Sequence, residues 1–143
     1  MTPSVLAQLH KVAFAPERGW RADEFDTLCA SPHVDLFTQN NGFALTRTVA
    51  GETELLTLAV HPEYRRRGIA DALLKTWLVS VEADAAFLDV AADNEAAHAL
   101  YVKHGFAVTG RRTAYYARAD GANADALLMR RELTRRKGAE SPA

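Results

Sequence analysis

The chain has 143 residues, of which 48% are hydrophobic and 24% charged, and its formal net charge is −1. This balance does not favour nucleic acid or a membrane as partner, and the single cysteine, Cys29, excludes an intramolecular disulfide. No apolar run approaches the ~20 residues of a membrane span, and the first residues do not resemble a secretion signal. We therefore expect a cytoplasmic protein with one globular domain, residues 1–133, and a disordered tail, residues 134–143.

Apolar periodicity predicts two short helices at the start of the chain. Ser4 can cap a helix that ends near Phe14, and residues 21–30 form a second helix. Alternating apolar and polar residues then predict two strands around the hairpin turn Asn40-Asn41-Gly42. A third strand runs from Glu54 to Val60.

The second half of the chain alternates between helices and strands. The pattern predicts a helix from Gly68 to about Val81, a strand at 87–91, a helix at 94–104, and a final antiparallel pair at 106–112 and 126–132. The third strand, its helix and the fourth strand form a βαβ unit, so these two strands should be parallel neighbours. The order of elements predicts an α/β fold with a mixed sheet and helices on its faces.

A basic turn, Arg65-Arg66-Arg67-Gly68-Ile69-Ala70, separates the third strand from the following helix. A helix N-terminus offers unpaired N–H groups and the positive end of a dipole. Gly68 and Ala70 leave room for a phosphate near the backbone. Because a Walker loop and a three-glycine dinucleotide fingerprint are both absent, the turn predicts a pyrophosphate site for another nucleotide-bearing cofactor. An ordinary basic turn is the alternative.

A second group of residues follows this turn. Asn94 and Tyr101 are seven residues apart and share a helix face, and Gly105-Phe106 begins the next strand. Together with Arg-x-x-Gly-x-Ala, this segment resembles the motifs of the Gcn5-related N-acetyltransferase (GNAT) family, over roughly Glu54 to Leu133. The resemblance implies a mixed, mostly antiparallel sheet with a central splayed parallel pair. It also implies that the family's first edge strand is missing here.

Within the family, the chain is most similar to the bacterial ribosomal-protein-alanine N-acetyltransferases. The similar segments are Leu58 to Arg65, Phe87 to Val90, Arg111-Arg112-x-x-Tyr115-Tyr116, and Trp20. The resemblance implies acetyl-CoA as co-substrate and direct attack by a primary amine, with a protein N-terminal amine as first choice. A small-molecule amine is the alternative acceptor, and a non-catalytic acyl-CoA-binding module is a third possibility.

The resemblance also implies a role for each candidate site residue. One strand end and the basic turn, together with Asn94, would hold acetyl-CoA: Leu58, Ala59, Val60, Arg65, Arg66, Arg67, Gly68, Ile69 and Ala70. Asn94 is equally suited to a plain helix N-cap. Tyr101 would donate a proton or hydrogen bond to the leaving thiolate. The alternative interpretation is that Tyr101 only packs in the core as an aromatic side chain.

Two carboxylates are candidates for the base. Glu54 shares a strand face with Leu56 and Leu58, and an exposed strand-end carboxylate is its alternative. Asp89 stands where the most similar group has Glu. Because it lies inside an apolar strand, we expect it to be buried and to need a partner. An α-amine has a pKa of ~7.7–8.0 against ~10.4 for lysine, so a modest or water-relayed base suits an N-terminal amine better.

Tyr115 and Tyr116 fall where the similar group has an aromatic pair that contacts the acceptor, and ordinary strand aromatics are the alternative. Adjacent strand residues point to opposite faces, so at most one should face the acceptor. No metal-like spacing links the five histidines. The Arg135-Arg136-Lys137 cluster predicts a solvated tail rather than a nucleic-acid site. A sheet edge left by the missing strand would be exposed or covered by a partner chain, so a monomer or a homodimer is expected.

Overall fold

The computed structural model describes residues 1–134, so the Arg135-Arg136-Lys137 cluster and most of the predicted tail lie outside the described residues. The α-helices of the described part are α1 (Pro3–Phe14), α2 (Ala22–Cys29), α3 (Ile69–Ser80) and α4 (Glu95–Lys103). Its strands are β1 (Val34–Gln39), β2 (Gly42–Val49), β3 (Glu52–Val60), β4 (Ala85–Ala91), β5 (Ala107–Ala117) and β6 (Asn123–Glu132).

The strands form a sheet in the order β1-β2-β3-β4-β6-β5. β3 and β4 pair in parallel from Glu52↔Ala85 to Glu54↔Phe87, whereas β1–β2, β4–β6 and β5–β6 are antiparallel. The predicted fold class, a mostly antiparallel mixed sheet with one parallel pair, is confirmed. No strand precedes α1 in the described part of the chain, and β1 is an edge strand.

Helix α1 begins two residues earlier than the sequence predicted, and its cap is not Ser4. The N–H of Val5 donates to the hydroxyl of Thr2 at 3.2 Å, so Thr2 is the N-cap. Pro3 takes the first helical position, where its missing N–H costs no intrahelical hydrogen bond. The prediction failed because two hydroxyl residues flank Pro3, and only the one before the proline leaves it in the first turn.

The chain divides into two compact units, the first of which comprises Met1–Arg47 and Leu56–Trp77. A buried cluster holds α1, α2, β2 and β3 together in this unit: Leu6, Phe25, Phe43, Leu45 and Ala59. The opposite face of β2 meets α3, because a Cβ at Gly42 would lie 2.6 Å from Ile69 Cγ2. Helices therefore cover both faces of β2, as predicted.

The second unit comprises Thr48–Leu55 and Leu78–Ala143, of which residues up to 134 are described. β5 and β6 are longer than predicted, because their pairing resumes at Tyr116↔Ala124 beyond an irregularity that follows Arg112. Ala114 lies in that irregularity with a φ of 51°, in the left-handed region. The alanine-rich ends of both strands lack the alternation that marks a strand in the sequence.

None of the helices within residues 1–134 combines the length and the hydropathy needed to cross a lipid bilayer.

Candidate active site

The basic turn belongs to the first unit, and two of its arginines contact neighbouring protein groups. The guanidinium of Arg65 donates to the carbonyl of Ala13 in the last turn of α1, at 2.8 Å. The guanidinium of Arg67 lies 5.0 Å from the centre of the Tyr64 ring. Both side chains therefore help to fix the turn itself, a role that the sequence did not reveal.

The backbone after these residues has the form of an anion site. Arg66 and Gly68 have φ values of 63° and 78°, in the left-handed region, and α3 begins at Ile69. A Cβ at Gly68 would meet no heavy atom within 4 Å. The first N–H groups of α3 have no partner within the helix. A left-handed turn with open space at Gly68, directly before the positive end of a helix, fits a phosphate.

The predicted strand residues before the turn lie at the end of β3, in the same unit. Leu58 is half-buried, whereas Ala59 and Val60 are buried. The neighbouring Thr57 is also buried, and its hydroxyl lies 2.9 Å from Nε2 of His10 in α1. His10 therefore supports this strand from the helix side.

Asn94 belongs to the second unit and is the N-cap of α4. Its side-chain oxygen accepts from the N–H of Ala97 at 3.2 Å. The simpler interpretation of this residue is therefore found in the structure. The cap uses only the side-chain oxygen, so the two N–H donors of the amide can still contact a ligand.

Tyr101 projects from α4 into the interior of the second unit. Only 7% of it is exposed, and its ring packs edge-on against Phe106 with the centroids 6.2 Å apart. Burial, with a smaller effect from Tyr116, raises the pKa of Tyr101 to about 12. The residue is thus both a core aromatic and a phenol that stays protonated at neutral pH.

Asp89 is exposed, so the prediction that it is buried was wrong. β4 alternates, with Leu88 and Val90 facing the interior while Asp89 points to the other face. The half-buried Glu54 is in register with Phe87, two residues before Asp89. Glu54 and Asp89 therefore share a sheet face, with their Cα atoms roughly 8 Å apart by strand geometry.

The tyrosine pair does not divide between the two sheet faces as strand alternation predicted, because the two rings pack edge-on with their centroids 5.2 Å apart. The irregularity in β5 just before Tyr116 breaks the alternation, although the two residues still differ in exposure. Tyr116 is half-buried, and its pKa is raised to about 12 by burial first and then by the charge of Asp89 and by Tyr115. Tyr115 is 50% exposed, and the guanidinium of Arg112 lies 5.0 Å from its ring centre. Electrostatic coupling thus links Tyr116 to both Asp89 and Tyr101.

Ion pairs that the sequence did not indicate hold this part of the second unit. Asp125 contacts Arg111 at 2.6 Å and accepts from the N–H of Ala114 at 2.7 Å, so it fixes the irregular stretch before the tyrosines. These contacts lower the pKa of the Asp125 carboxyl. Arg118 pairs with Asp93 at 2.6 Å, across 25 residues of sequence. No local pattern marks either pair, because Asp125 meets Arg111 when β6 pairs with β5, and Asp93 meets Arg118 when β6 pairs with both β4 and β5.

The pattern of the acetyltransferase (GNAT) family matches residues 10–106. The chain belongs to this family. It is 36% identical over 135 residues to the N-alpha-acetyltransferase RimI of Mycobacterium tuberculosis, covering 88% of this chain and 84% of that protein. It is 39% identical over 98 residues to the ribosomal protein bS18-alanine N-acetyltransferase of Escherichia coli, covering 64% of this chain and 66% of that protein.

The crystal structure of the ribosomal-protein-S18-alanine N-acetyltransferase from Escherichia coli has a similar fold. It matches with a TM-score of 0.84 and 30% sequence identity, over 94% of this chain and 88% of that one. The chain also spans 37% of the length of an uncharacterised Mycobacterium leprae protein, with 38% identity over 135 residues. The family and its most similar group, both predicted from the sequence, are confirmed. With this family comes the enzyme class, N-acetyltransferases that use acetyl-CoA.

Proposed function

We propose that this protein transfers the acetyl group of acetyl-CoA to a primary amine by direct attack, and that its acceptor is a protein N-terminal amine. The observation that carries the proposal is Tyr101, a phenol that burial keeps protonated, in the same unit as the half-buried Tyr116 and the exposed carboxylate of Asp89. A hydrogen-bond donor, an aromatic and a carboxylate in one unit are the groups that amine acetylation needs. The names of the two relatives above support the choice of acceptor.

Acetyl-CoA, when bound, supplies the thioester that the amine attacks. The backbone from Arg66 to Ala70 would bind its pyrophosphate, because a left-handed turn with open space at Gly68 leads into the N-terminus of α3. The strand edge at Leu58–Val60 would hydrogen-bond the pantetheine amides in the manner of an added strand. The amide NH₂ of Asn94, which the cap leaves available, would also donate to acetyl-CoA.

Tyr101 would stabilise the leaving thiolate by donating a hydrogen bond. A thiol has a pKa of ~8.5, and the pKa of Tyr101 is raised to about 12. Full proton transfer from the phenol to the thiolate is therefore uphill by about 5 kcal/mol. A charge-assisted hydrogen bond from the phenol stabilises the thiolate without that transfer.

Asp89 would act as the base through a water molecule. Its exposure on the open face of β4 keeps the carboxylate in contact with solvent, and it lies near Tyr116. A water-relayed carboxylate is sufficient for an α-amine of pKa ~7.7–8.0, which is already partly neutral near pH 7. Glu54 shares the same face and is the second candidate.

Tyr116 and Tyr115 would contact the acceptor peptide in different ways. The half-buried Tyr116 would contact the acceptor close to the reacting amine, since it is the member of the pair coupled to Asp89 and Tyr101. The exposed Tyr115, under the guanidinium of Arg112, would contact residues further along the peptide.

The test measures thiol release from acetyl-CoA with peptides that carry a free N-terminal amine, lysine peptides with a blocked N-terminus, and small polyamines and aminoglycosides. Turnover with the free N-terminal amine, lost when the same peptide is blocked, supports the proposal. Turnover confined to small amines would replace the protein acceptor with a small-molecule one. Tight acetyl-CoA binding without turnover on any acceptor would instead indicate an acyl-CoA-binding module.

A further inference from the structure

Arg118 lies one residue beyond the end of β5 and contacts two segments of the second unit at once. Its guanidinium donates to both carboxylate oxygens of Asp93, at 2.6 and 3.3 Å. Its Cζ lies 5.8 Å from the centre of the Tyr116 ring. Only 25% of the Arg118 side chain is exposed, although it follows a surface strand. A planar guanidinium can hold a carboxylate with its N–H groups and stack on a ring with its face.

The first contact fixes the loop between β4 and α4. Asp93 directly precedes Asn94, the N-cap of α4, whose side chain accepts from Ala97. The N–H of Asn94 also donates to the carbonyl of Ala91 at 2.9 Å, so Asn94 is held from both sides. The hydrogen bond from Arg118 lowers the pKa of the Asp93 carboxyl and keeps it ionised. Arg118 thus anchors the residue next to Asn94.

The second contact fixes the aromatic side chain at the end of β5. Tyr116 pairs with Ala124 after the irregular stretch, at the point where the β5–β6 register resumes. Its ring meets Tyr115 on one side, with the centroids 5.2 Å apart, and the guanidinium of Arg118 on another. Without Arg118, the ring would lose the guanidinium contact that helps to define its orientation.

We propose that Arg118 is a positioning residue that couples the loop carrying Asn94 to the ring of Tyr116. The roles of Asn94 toward the donor and of Tyr116 toward the acceptor rest on the proposed function. Through Arg118, a change at Asp93, next to the residue proposed to bind acetyl-CoA, alters the position of the Tyr116 ring that is proposed to contact the acceptor. Arginine is required rather than any cation, because lysine cannot hold two carboxylate oxygens and stack on a ring in the same pose.

The coupling acts on geometry rather than on folding. Asp93 is largely exposed, and ion pairs at the surface contribute little to the free energy of unfolding. We therefore expect Arg118→Ala to change the melting temperature by less than about 3 °C. Its effect should appear in substrate binding instead.

The decisive experiment is a double-mutant cycle read through the KM for the acceptor peptide. Arg118→Ala and Asp93→Ala should each raise this KM by about fivefold. Asp93→Ala should have no further effect once Arg118 has been replaced, because that guanidinium joins Asp93 to Tyr116 among the described contacts. Arg118→Lys should behave like Arg118→Ala.

A matched control is present on β6. Arg130 pairs with Glu132 at 3.0 Å and lies 4.8 Å from the centre of the Phe87 ring, but contacts neither Asp93 nor Tyr116 within the described residues. Arg130→Ala removes the same kinds of contact and should leave the acceptor KM at the parent value. Independent, additive effects of Asp93→Ala and Arg118→Ala would overturn the proposal, as would an unchanged KM in Arg118→Ala.

A second readout does not depend on turnover. With ¹³C-labelled tyrosine, Asp93→Ala should shift the Tyr116 ring resonance in the parent protein and leave it unmoved in Arg118→Ala. If Asp93→Ala shifts the Tyr116 resonance but the protein acetylates no acceptor, the coupling is supported and the proposed function is rejected. If Asp93→Ala leaves the Tyr116 resonance unchanged in an enzyme that is active, the coupling is rejected and the proposed function stands.

Discussion

His10 and Thr57 join α1 to β3 through a hydrogen bond of 2.9 Å inside the first unit, where both residues are buried. The N–H of Trp20 donates to Nδ1 of His10 at 3.0 Å, so Nδ1 carries no proton. Nε2 must then carry it and donate to the Thr57 hydroxyl. The imidazole also stacks on Phe14 and Trp20, with ring centroids 4.1 and 5.1 Å away. A neutral His10 in one tautomer is thus built into the fold.

This arrangement predicts that stability falls in mild acid. Burial first, and then the charge of Arg18, lower the pKa of His10 to about 4, with Glu24 opposing them. In the unfolded chain His10 has a pKa near 6.5, so between pH 6.5 and 4 the unfolded state binds more protons than the folded state. The free energy of unfolding therefore decreases as the pH falls through this window. We expect a loss of about 2 kcal/mol between pH 7 and pH 5, measured by urea unfolding.

The control for this pH dependence is His10→Gln, whose amide can accept and donate but does not titrate. Its stability should change much less between pH 7 and pH 5. The exposed His33, replaced in the same way, should leave the wild-type pH dependence intact. An identical pH dependence in wild type and His10→Gln would show that other groups cause the acid loss.

Removal of the Thr57 hydroxyl should destabilise the first unit. Thr57→Val keeps the shape but leaves the buried Nε2–H of His10 without an acceptor, which costs about 1–3 kcal/mol. Thr57→Ser keeps the hydroxyl and serves as the matched variant, with a smaller loss. Equal losses in the two variants, by urea unfolding at neutral pH, would mean that packing rather than the hydrogen bond matters here.

Gly68 is expected to serve both the backbone and the phosphate. Gly68→Ala places a Cβ on a residue with φ of 78°, which costs about 1–2 kcal/mol of stability. Gly121, with φ of 90° and equally open space, should lose a similar amount on replacement by Ala. Only Gly68→Ala should weaken coenzyme A binding, by about tenfold in calorimetry. Equal affinities in the two variants would remove the basic turn from the donor site.

Tyr101→Phe should lower kcat because it removes one hydrogen bond to a charged leaving group. Such a bond is worth about 1.5–3 kcal/mol, so the loss should be about 10- to 100-fold with little change in KM for acetyl-CoA. Tyr64→Phe also removes a phenol hydroxyl, and it should keep the parent kcat. Since the pKa of Tyr101 is raised to about 12, the parent enzyme should show no alkaline decline from this group up to pH 10. An unchanged kcat in Tyr101→Phe would exclude its assigned role.

Asp89→Asn should reduce kcat/KM for a peptide N-terminal amine by about 100-fold near pH 7. The deficit should shrink above pH 8, where the α-amine loses its proton without help. Asp89→Glu should retain most activity, because the exposed side chain has room for one more methylene. A large loss in Glu54→Gln with a small one in Asp89→Asn would transfer the role of base to Glu54.

Some parts of the site could be read from local sequence, because their physics is local. Asn94 caps α4 because a polar side chain precedes a helical run, and seven residues of helix bring Tyr101 onto the same face. The parallel pairing of β3 with β4 follows from the length of the crossover that joins them. The glycine of the basic turn has the left-handed φ that a tight turn before a helix requires.

Other parts depended on which distant segments meet. The sequence placed Asp89 in an apolar strand, but only the packing of β4 decided which face is covered, and the carboxylate lies on the open one. The sequence does not tell which groups Arg65 and Arg118 contact. In the structure, Arg65 donates to a carbonyl of α1 and Arg118 to a carboxylate just before α4.

The sequence by itself determined the order of elements, the family and the basic turn before α3, since each depends on residues within about two helical turns or one crossover. Only the tertiary structure decided the ionisation and exposure of the groups proposed to act. Burial sets the pKa values of His10 and Tyr101, and burial is a property of everything that packs around a side chain. The basic turn of Arg65 to Ala70 could therefore be proposed as a cofactor site from sequence alone, whereas the pairing of Arg118 with Asp93 became visible only in the folded chain.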